Sequence, residues 1–463
     1  MRKSKLQIYS GILFYTLLLC KPINLHAQLF APLSSAGDTT QYSTFPVNDT
    51  IFVFNTPNNS GETVNGSLTA EYPSGDQLLT FGWSRFNTQS LSFDPLKTES
   101  NVATSSLEGL NDGCYRVRIT DGAALDTVFR AWIYINHADS LHVEAEKNSQ
   151  GKIKMFRYTC DYLDLNATAS DDVFTYFDLA TGDTLHLNKD FEILWTSDPE
   201  TIIPHASERL EIRTYDPPPF NTTYTITITD PYGIEKSDNV IYESIVTKAD
   251  FKIAVKGYFE KEFTESDLTG SAPLTAKFTN TSQNGVKFEW TFMDTLLPGH
   301  QDINLTTTDT LEEPEYKYYV PRSYYVKLVS TSNAGCIDSF SVESVDYPGP
   351  IIVEESVLEA PNFFTPNNDG YNDYFYVYNK SLKSFHMSIY SRTGSKVYEY
   401  YYNEADHADW KGWDGKVNGS NRSAPPGIYY YVVEAYGWDN KHYKIPDKVY
   451  KGFFHLFVGK ENW

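Results

Sequence analysis

The chain has 463 residues, of which 38 are basic and 60 acidic, giving a net charge of −22 with 41% hydrophobic and 15% aromatic residues. So acidic a balance excludes a nucleic-acid binder and weighs against anionic membrane surfaces, since both partners draw cationic patches. With 35 Tyr, 27 Gly and 23 Pro and no long amphipathic helix period, short alternating runs parted by turn residues predict an all-β chain.

Residues 1–27 read as a secretory signal peptide. Arg2, Lys3 and Lys5 form a charged head, Leu6 to Cys20 is an apolar run short for a bilayer, and Ala27 places a small residue before Gln28. A lipoprotein anchor at Cys20 is disfavoured, because Leu19 stands where a small residue is wanted. Beyond residue 27 there remain 34 basic and 60 acidic residues, a net −26, which suits a soluble exported protein. No later stretch approaches transmembrane length.

A repeat emerges when Trp and Tyr are aligned. Trp83, Trp195 and Trp290 each sit in an apolar run, spaced by 112 and 95 residues, and each is followed by a strand opening on Tyr115, Tyr224 or Tyr324. That spacing is close to one immunoglobulin-like sandwich, in which a Trp packs between the sheets and a Tyr locks a corner by bonding back to the chain. The expectation is tandem immunoglobulin-like β-sandwich domains over 28–140, 141–248 and 249–347. Polar stretches at Ile135–Gly151 and Thr247–Asp250, and Tyr347-Pro-Gly-Pro350, read as soft boundaries. Cys114, Cys160 and Cys336 follow the signal segment. Being odd in number they leave one thiol over, and Cys114 with Cys160 is the pairing that adjacent domains favour.

The third repeat carries Gly270-Ser-Ala-Pro273, Phe278-Thr-Asn-Thr-Ser282, Phe288-Glu-Trp290-Thr-Phe292 and Asn333-Ala-Gly335-Cys336. It resembles a PKD domain, although the turn after Trp290 lacks the family's glycines and first Asp. The resemblance implies a spacer or adhesive module rather than a catalyst.

The last hundred residues are the most specific part. Pro361-Asn362-Phe-Phe364-Thr365-Pro366-Asn367-Asn-Asp369-Gly370-Tyr-Asn372-Asp373-Tyr-Phe375 comes first, followed by Arg392 with Gly394, then Trp413-Asp414-Gly415, Gly427 with Tyr429, and Lys451-Gly452. Five blocks in this order resemble the type B C-terminal sorting domain of Bacteroidetes type IX secretion, the gliding-motility-associated C-terminal domain, over 351–463. Two departures are Ser391 and Thr393, where the family carries Asn and an aromatic. The resemblance implies a folded module read by the type IX secretion translocon and outer-membrane attachment proteins, and hence delivery across the outer membrane to the cell surface or medium. The strand Tyr450–Val458 is almost wholly apolar and is expected to lie buried, with Trp413 and Tyr429 in the core and Arg392, Asp369 and Asp373 as charged recognition features.

Chemistry is harder to find. There is no nucleophile elbow, zinc motif or phosphate loop, and no cofactor motif. Asp171-Asp172 reads as a solvated turn and Glu144 with Glu146 as a solvated face. Asn367, Asp369 and Asp373 fit a calcium loop weakly, Thr365 replacing its first Asp; a turn stabilised by its own Asx side chains is the favoured reading. Asp followed by Ser or Thr and then Ala, Ile, Leu, Val, Met or Thr recurs at Thr39, Thr50, Thr127, Ser140, Thr184, Thr295 and Thr310. This resembles the O-glycosylation sequon of exported Bacteroidetes proteins, and equally a common turn-to-strand pair. The expectation is a non-enzymatic surface protein that binds a protein or glycan partner. The alternatives are a hydrolase with its site in 28–248 and an accessory of secretion or gliding.

Overall fold

The computed structural model describes residues 28–457 except 58–63, 73–77, 258–259, 261, 294–306, 310–311, 343–348, 404–409, 419 and 446–449. The expected signal peptide 1–27, the sequon sites Thr295 and Thr310, and part of the expected hinge at 347–350 lie outside the described residues. Among those residues every regular element is a strand except one 3-10 turn, Met155–Arg157. Among the described residues no helix is long and apolar enough to cross a membrane. The fold is all-β, built of tandem sandwiches.

Contacts divide the chain into two compact units: Met1–Arg157 (described from residue 28), Asp164–Thr214 and Thr223–Tyr242 in one, Tyr158–Leu163, Tyr215–Thr222 and Glu243–Trp463 in the other. In the first unit a six-stranded sheet runs in the order Ala36–Thr39, Thr50–Asn55, Asp126–Asn136, Gly113–Thr120, Leu79–Asn87, Ser92–Val102. Alternation sends Phe81, Trp83, Val117 and Ile119 into one core with Leu68, Ala70 and Leu110 of the second sheet. Trp83 is fully buried and its Nε1 donates to Ser105 Oγ at 2.8 Å. Tyr115 donates from its hydroxyl to Asn111 O at 2.9 Å, the corner bond expected of such a strand.

The other face of this sheet is not left to solvent. Ile51, Val53, Phe86, Cys114, Trp132 and Tyr134 form a second core with Phe174, Tyr176, Leu179, Leu187 and Tyr232. That is why Ala131-Trp132-Ile133-Tyr134-Ile135 is unbroken in its apolarity: a strand buried on both faces has no polar side to show. Polar groups close the seam. Asp178 accepts from Thr44 N at 2.6 Å and Phe45 N at 3.2 Å, Asn136 Nδ2 donates to Asp230 at 2.6 Å, and Lys189 Nζ meets Asp171 at 2.8 Å with both side chains buried. The reading of Ile135–Gly151 as a soft linker is therefore corrected, since Ile135, Asn136, Ala138, Leu141 and Ala145 are all buried. Asp171 is likewise no solvated residue, because Lys189 and the Ser140 hydroxyl reach its carboxylate.

The second repeat supplies strands His142–Ala145, Tyr162–Ser170 and Glu211–Tyr215 in one sheet and Glu192–Asp198, Thr222–Thr229 and Glu235–Tyr242 in another. Trp195 is buried opposite Ile226. Tyr224 is buried too, but its hydroxyl is engaged by Thr201 instead of a carbonyl four residues back, so the corner expected here is absent in that form.

In the second unit Trp290 lies fully buried among Phe251, Phe278 and Phe292, and Tyr324 donates to Val320 O at 2.7 Å. The strand Ile351–Glu354, placed by the sequence at the head of the C-terminal domain, pairs with Thr269–Ser271 and with Ser323–Tyr324 of this third sandwich. The Cys114–Cys160 pairing is overturned. Cys160 is bonded to Cys336, 176 residues away, while Cys114 is a buried free thiol in the apolar core beside Trp132.

Candidate functional site

The C-terminal sandwich is built on a six-stranded sheet in the order Phe363–Phe364, Lys451–Leu456, Gly427–Gly437, Leu382–Tyr390, Lys396–Asn403, with His442–Tyr443 added to the third of these. Its first and last strands in sequence pair in parallel, Phe363 with His455 and Phe364 with Leu456, so the motif at 361–375 and the motif at 451–452 meet. Phe364, Phe375, Trp413, Tyr431 and Phe454 are all fully buried, and Phe375 stacks on Phe454 at 3.7 Å between ring centres. Trp413 Nε1 donates to Lys416 O at 2.6 Å, and Tyr429 donates to Pro425 O at 2.7 Å. The last is a third corner of the kind made by Tyr115 and Tyr324, unnoticed in the sequence because its Trp follows a turn rather than lying in an apolar run.

The loop 365–373 explains its own composition. Asp373 Oδ1 accepts from Asn367 N at 3.1 Å and Asn368 N at 2.6 Å, and its Oδ2 from Gly370 N at 2.8 Å. Asp369 Oδ1 accepts from Tyr371 N at 2.8 Å, and Asn367 Oδ1 from Asp369 N at 3.1 Å. The Tyr371 N–H, then the Asn367 amide, hold the Asp369 carboxyl below the ordinary carboxylate range. Oxygens that the calcium reading assigned to a cation are thus given to backbone N–H groups, the geometry of linked Asx turns. Asp369 and Asp373 thus hold the loop's own conformation, Asp369 while remaining exposed on it.

Glycine is demanded at two motif positions by what lies above it. A Cβ on Gly452 would stand 2.3 Å from the Tyr431 hydroxyl oxygen, so the Lys451-Gly452 pair leaves room for a buried ring whose burial pushes its hydroxyl up to about 12. Gly415 has φ +81° and a Cβ there would meet Pro366 Cγ at 3.0 Å. Asp414 Oδ1 caps Lys416 N at 3.0 Å. Arg392 is exposed on the turn Ser391–Ser395, which Ser391 closes by accepting Gly394 N on its carbonyl and Ser395 N on its hydroxyl. Ser391 thereby supplies a turn acceptor where the family carries Asn. Pro361 is half-buried, Asn362 accepts His455 N at 2.9 Å on its carbonyl, and Thr365 and Asn372 close the loop through Thr365 N to Asn372 O at 2.8 Å. Gly427 opens the long central strand.

The terminal strand, Lys451–Leu456, is hydrogen-bonded on both sides, but its burial alternates. Phe454 and Leu456 point inward, whereas Phe453 is 54% and the following Phe457 52% exposed. The expectation of a wholly buried strand is corrected, because among the described residues, which leave out Val458, the outer face of this sheet carries no second layer of core residues.

The remaining sequence candidates are dispersed. Thr39, Thr50 and Thr184 are exposed on or beside strands, Thr127 is half-buried on Asp126–Asn136, and the Ser140 hydroxyl donates to Asp171 at 2.6 Å. Glu144 and Glu146 line one cavity of about 370 Å³, where Glu146 is held by Lys154 at 2.9 Å and Arg157 at 2.6 Å rather than facing open solvent. These partners depress its carboxyl, Lys154 most.

Residues 358–456 match the CHU_C Type IX secretion signal domain. No curated protein matches the chain. Similar solved structures include the fibronectin(III)-like modules of Clostridium thermocellum CbhA, at 12% identity over 44% of this chain and 92% of theirs with a TM-score of 0.23. The N-terminal eight Ig domains of Down Syndrome Cell Adhesion Molecule give 9% identity over 88% of this chain and 53% of that one, TM-score 0.25. Protocadherin Gamma B2 cadherin domains 3–6 give 11% over 92% and 100%, TM-score 0.19. None of these likenesses bears on what the chain binds. The five motif blocks fold into one module, and that module, residues 358–456, is a type IX secretion signal domain that marks the chain as cargo exported across the outer membrane to the cell surface or the medium.

Proposed function

We propose that the exported chain is a non-enzymatic binding protein whose N-terminal sandwiches hold a surface partner, and that its signal domain is handled by the translocon and by outer-membrane attachment proteins. One observation carries the first half. Of the acidic pairs 144/146 and 171/172, one member of each holds the fold, Glu146 by Lys154 and Arg157 and Asp171 by Lys189, while Met155 and Phe156 on the turn that carries Arg157 stand exposed at 84% and 68%. An apolar tip ringed by charge is suited to binding a protein or glycan surface.

The test applies the purified mature chain to cells and to polysaccharide and peptide substrates. Saturable cell binding that Phe156→Ser weakens, with no release of reducing ends or amines, is the expected result. Turnover of any substrate at a rate above background sinks the non-enzymatic reading and favours the hydrolase.

A further inference from the structure

The outer face of the signal domain's sheet presents two kinds of surface side by side. Register places Tyr430 opposite Phe453 and Phe363 opposite His455, and Phe363, Tyr430, Phe453 and Phe457 are all between 46% and 54% exposed. These are large aromatics on neighbouring strands of one face, a contiguous patch that an isolated domain gains nothing by leaving in water. Further along the same face His386 is cross-strand from both Glu434 and Tyr401. There a cavity of about 460 Å³ is lined by Tyr401 on one side of His386 and by Glu434 and Tyr436 on the other. Glu399 in that cavity is already held by Lys396 at 2.6 Å and His386 at 3.0 Å. Glu434 has no ion pair among the described residues.

We propose that this face is the surface by which the export machinery reads the signal domain. The aromatic half seats on an apolar protein surface, and the Glu434 cavity receives a lysine or arginine side chain of that same partner. Charge supports the choice of occupant. An exposed carboxylate without an ion-pair partner in a tyrosine-lined cavity favours a cation over a neutral or anionic group. This rests on the assignment of 358–456 as the export signal.

The experiment expresses the full chain in a type IX-competent bacterium and measures surface proteolysis, periplasmic accumulation and thermal melting. Tyr430→Ser with Phe453→Ser, and separately Glu434→Lys, are expected to fold yet collect in the periplasm, while Glu434→Asp and Tyr378→Ser on the other layer reach the surface. Normal display of Glu434→Lys overturns the proposal, and so does equal stranding of Tyr378→Ser. Should the double variant fail to fold, Glu434→Lys at its exposed position still decides. Deletion of 358–456 separates the two levels. If the deletion is stranded while the face variants are displayed, the signal stands and the face is wrong; if the deletion itself is displayed, both fall.

Discussion

The loop 365–373 and the seam inside the first unit use the same chemistry at opposite ranges. In the loop, Asp373 and Asp369 accept N–H groups two to six residues away. In the seam, Asp178 accepts from residues 133 and 134 positions away, and Asn136 reaches Asp230 across 94. Both arrangements satisfy backbone and side-chain N–H groups, but only the seam's are buried, where an unpaired polar group costs about 1–3 kcal/mol. Short range leaves a contiguous motif in the chain; long range leaves isolated residues with nothing to mark them.

The comparison breaks most completely if the local module is dispensable. Deleting 358–456 is expected to abolish surface display and leave the rest of the chain in the periplasm, read by fractionation with surface proteolysis. Next in size are the buried tryptophans. Trp413→Ala and Trp132→Ala should each cost about 3–5 kcal/mol. They differ in reach. Trp132 packs between the first sandwich and Phe174 and Tyr176, so its loss should lower hydrogen-exchange protection in both N-terminal sandwiches together. Protection lost in the strands 79–136 alone would sink the shared core.

Much of the fold was legible for physical reasons that these residues illustrate. Trp83, Trp195 and Trp290 announced three sandwiches because each must be buried between sheets, and each is. The five blocks of the signal domain were legible because a turn, a corner and a close glycine contact are local demands. The shared core was not, since the strand Asp126–Asn136 buries both faces and unbroken apolarity does not say what covers the second. The Cys160–Cys336 bond was missed because adjacency could not decide: Cys160 lies in the second expected domain, next to the first with Cys114 and equally to the third with Cys336, 176 residues on. The outer aromatic face was hidden for the opposite reason: Phe453 and Phe454 look alike in sequence, and only register tells which one meets water.

Two smaller effects sharpen the contrast. Cys160→Ser with Cys336→Ser should lower stability by about 2–4 kcal/mol, because a long loop is released in the unfolded chain. Unchanged denaturant midpoints for oxidised and reduced protein would refute it. Asp373→Ala should cost about 1–2 kcal/mol, comparable to losing a helix N-cap acceptor. Its effect should stay within the signal domain, and loss of exchange protection in Leu79–Asn87 would contradict a purely local role.

A further effect is a pH dependence at the seam. Burial alone would raise the Asp178 carboxyl, but N–H donors at Ala180, Thr44 and Phe45 with the Ser43 hydroxyl outweigh it and bring the group down to about 2. A carboxyl depressed in the fold relative to about 3.9 in the unfolded chain binds protons more readily when unfolded. Its contribution to stability is therefore complete above about pH 4 and fades as pH falls towards 2. Asp178→Asn removes that titration while keeping the size of the side chain. The variant should melt below the parent at pH 6, and the gap should close progressively between pH 4 and pH 2 as the parent's carboxylate is protonated. A gap that stays constant across that window would mean that the seam does not rest on the ionised form of Asp178, and that the hairpin Thr175–His186 is held by its aromatic contacts alone.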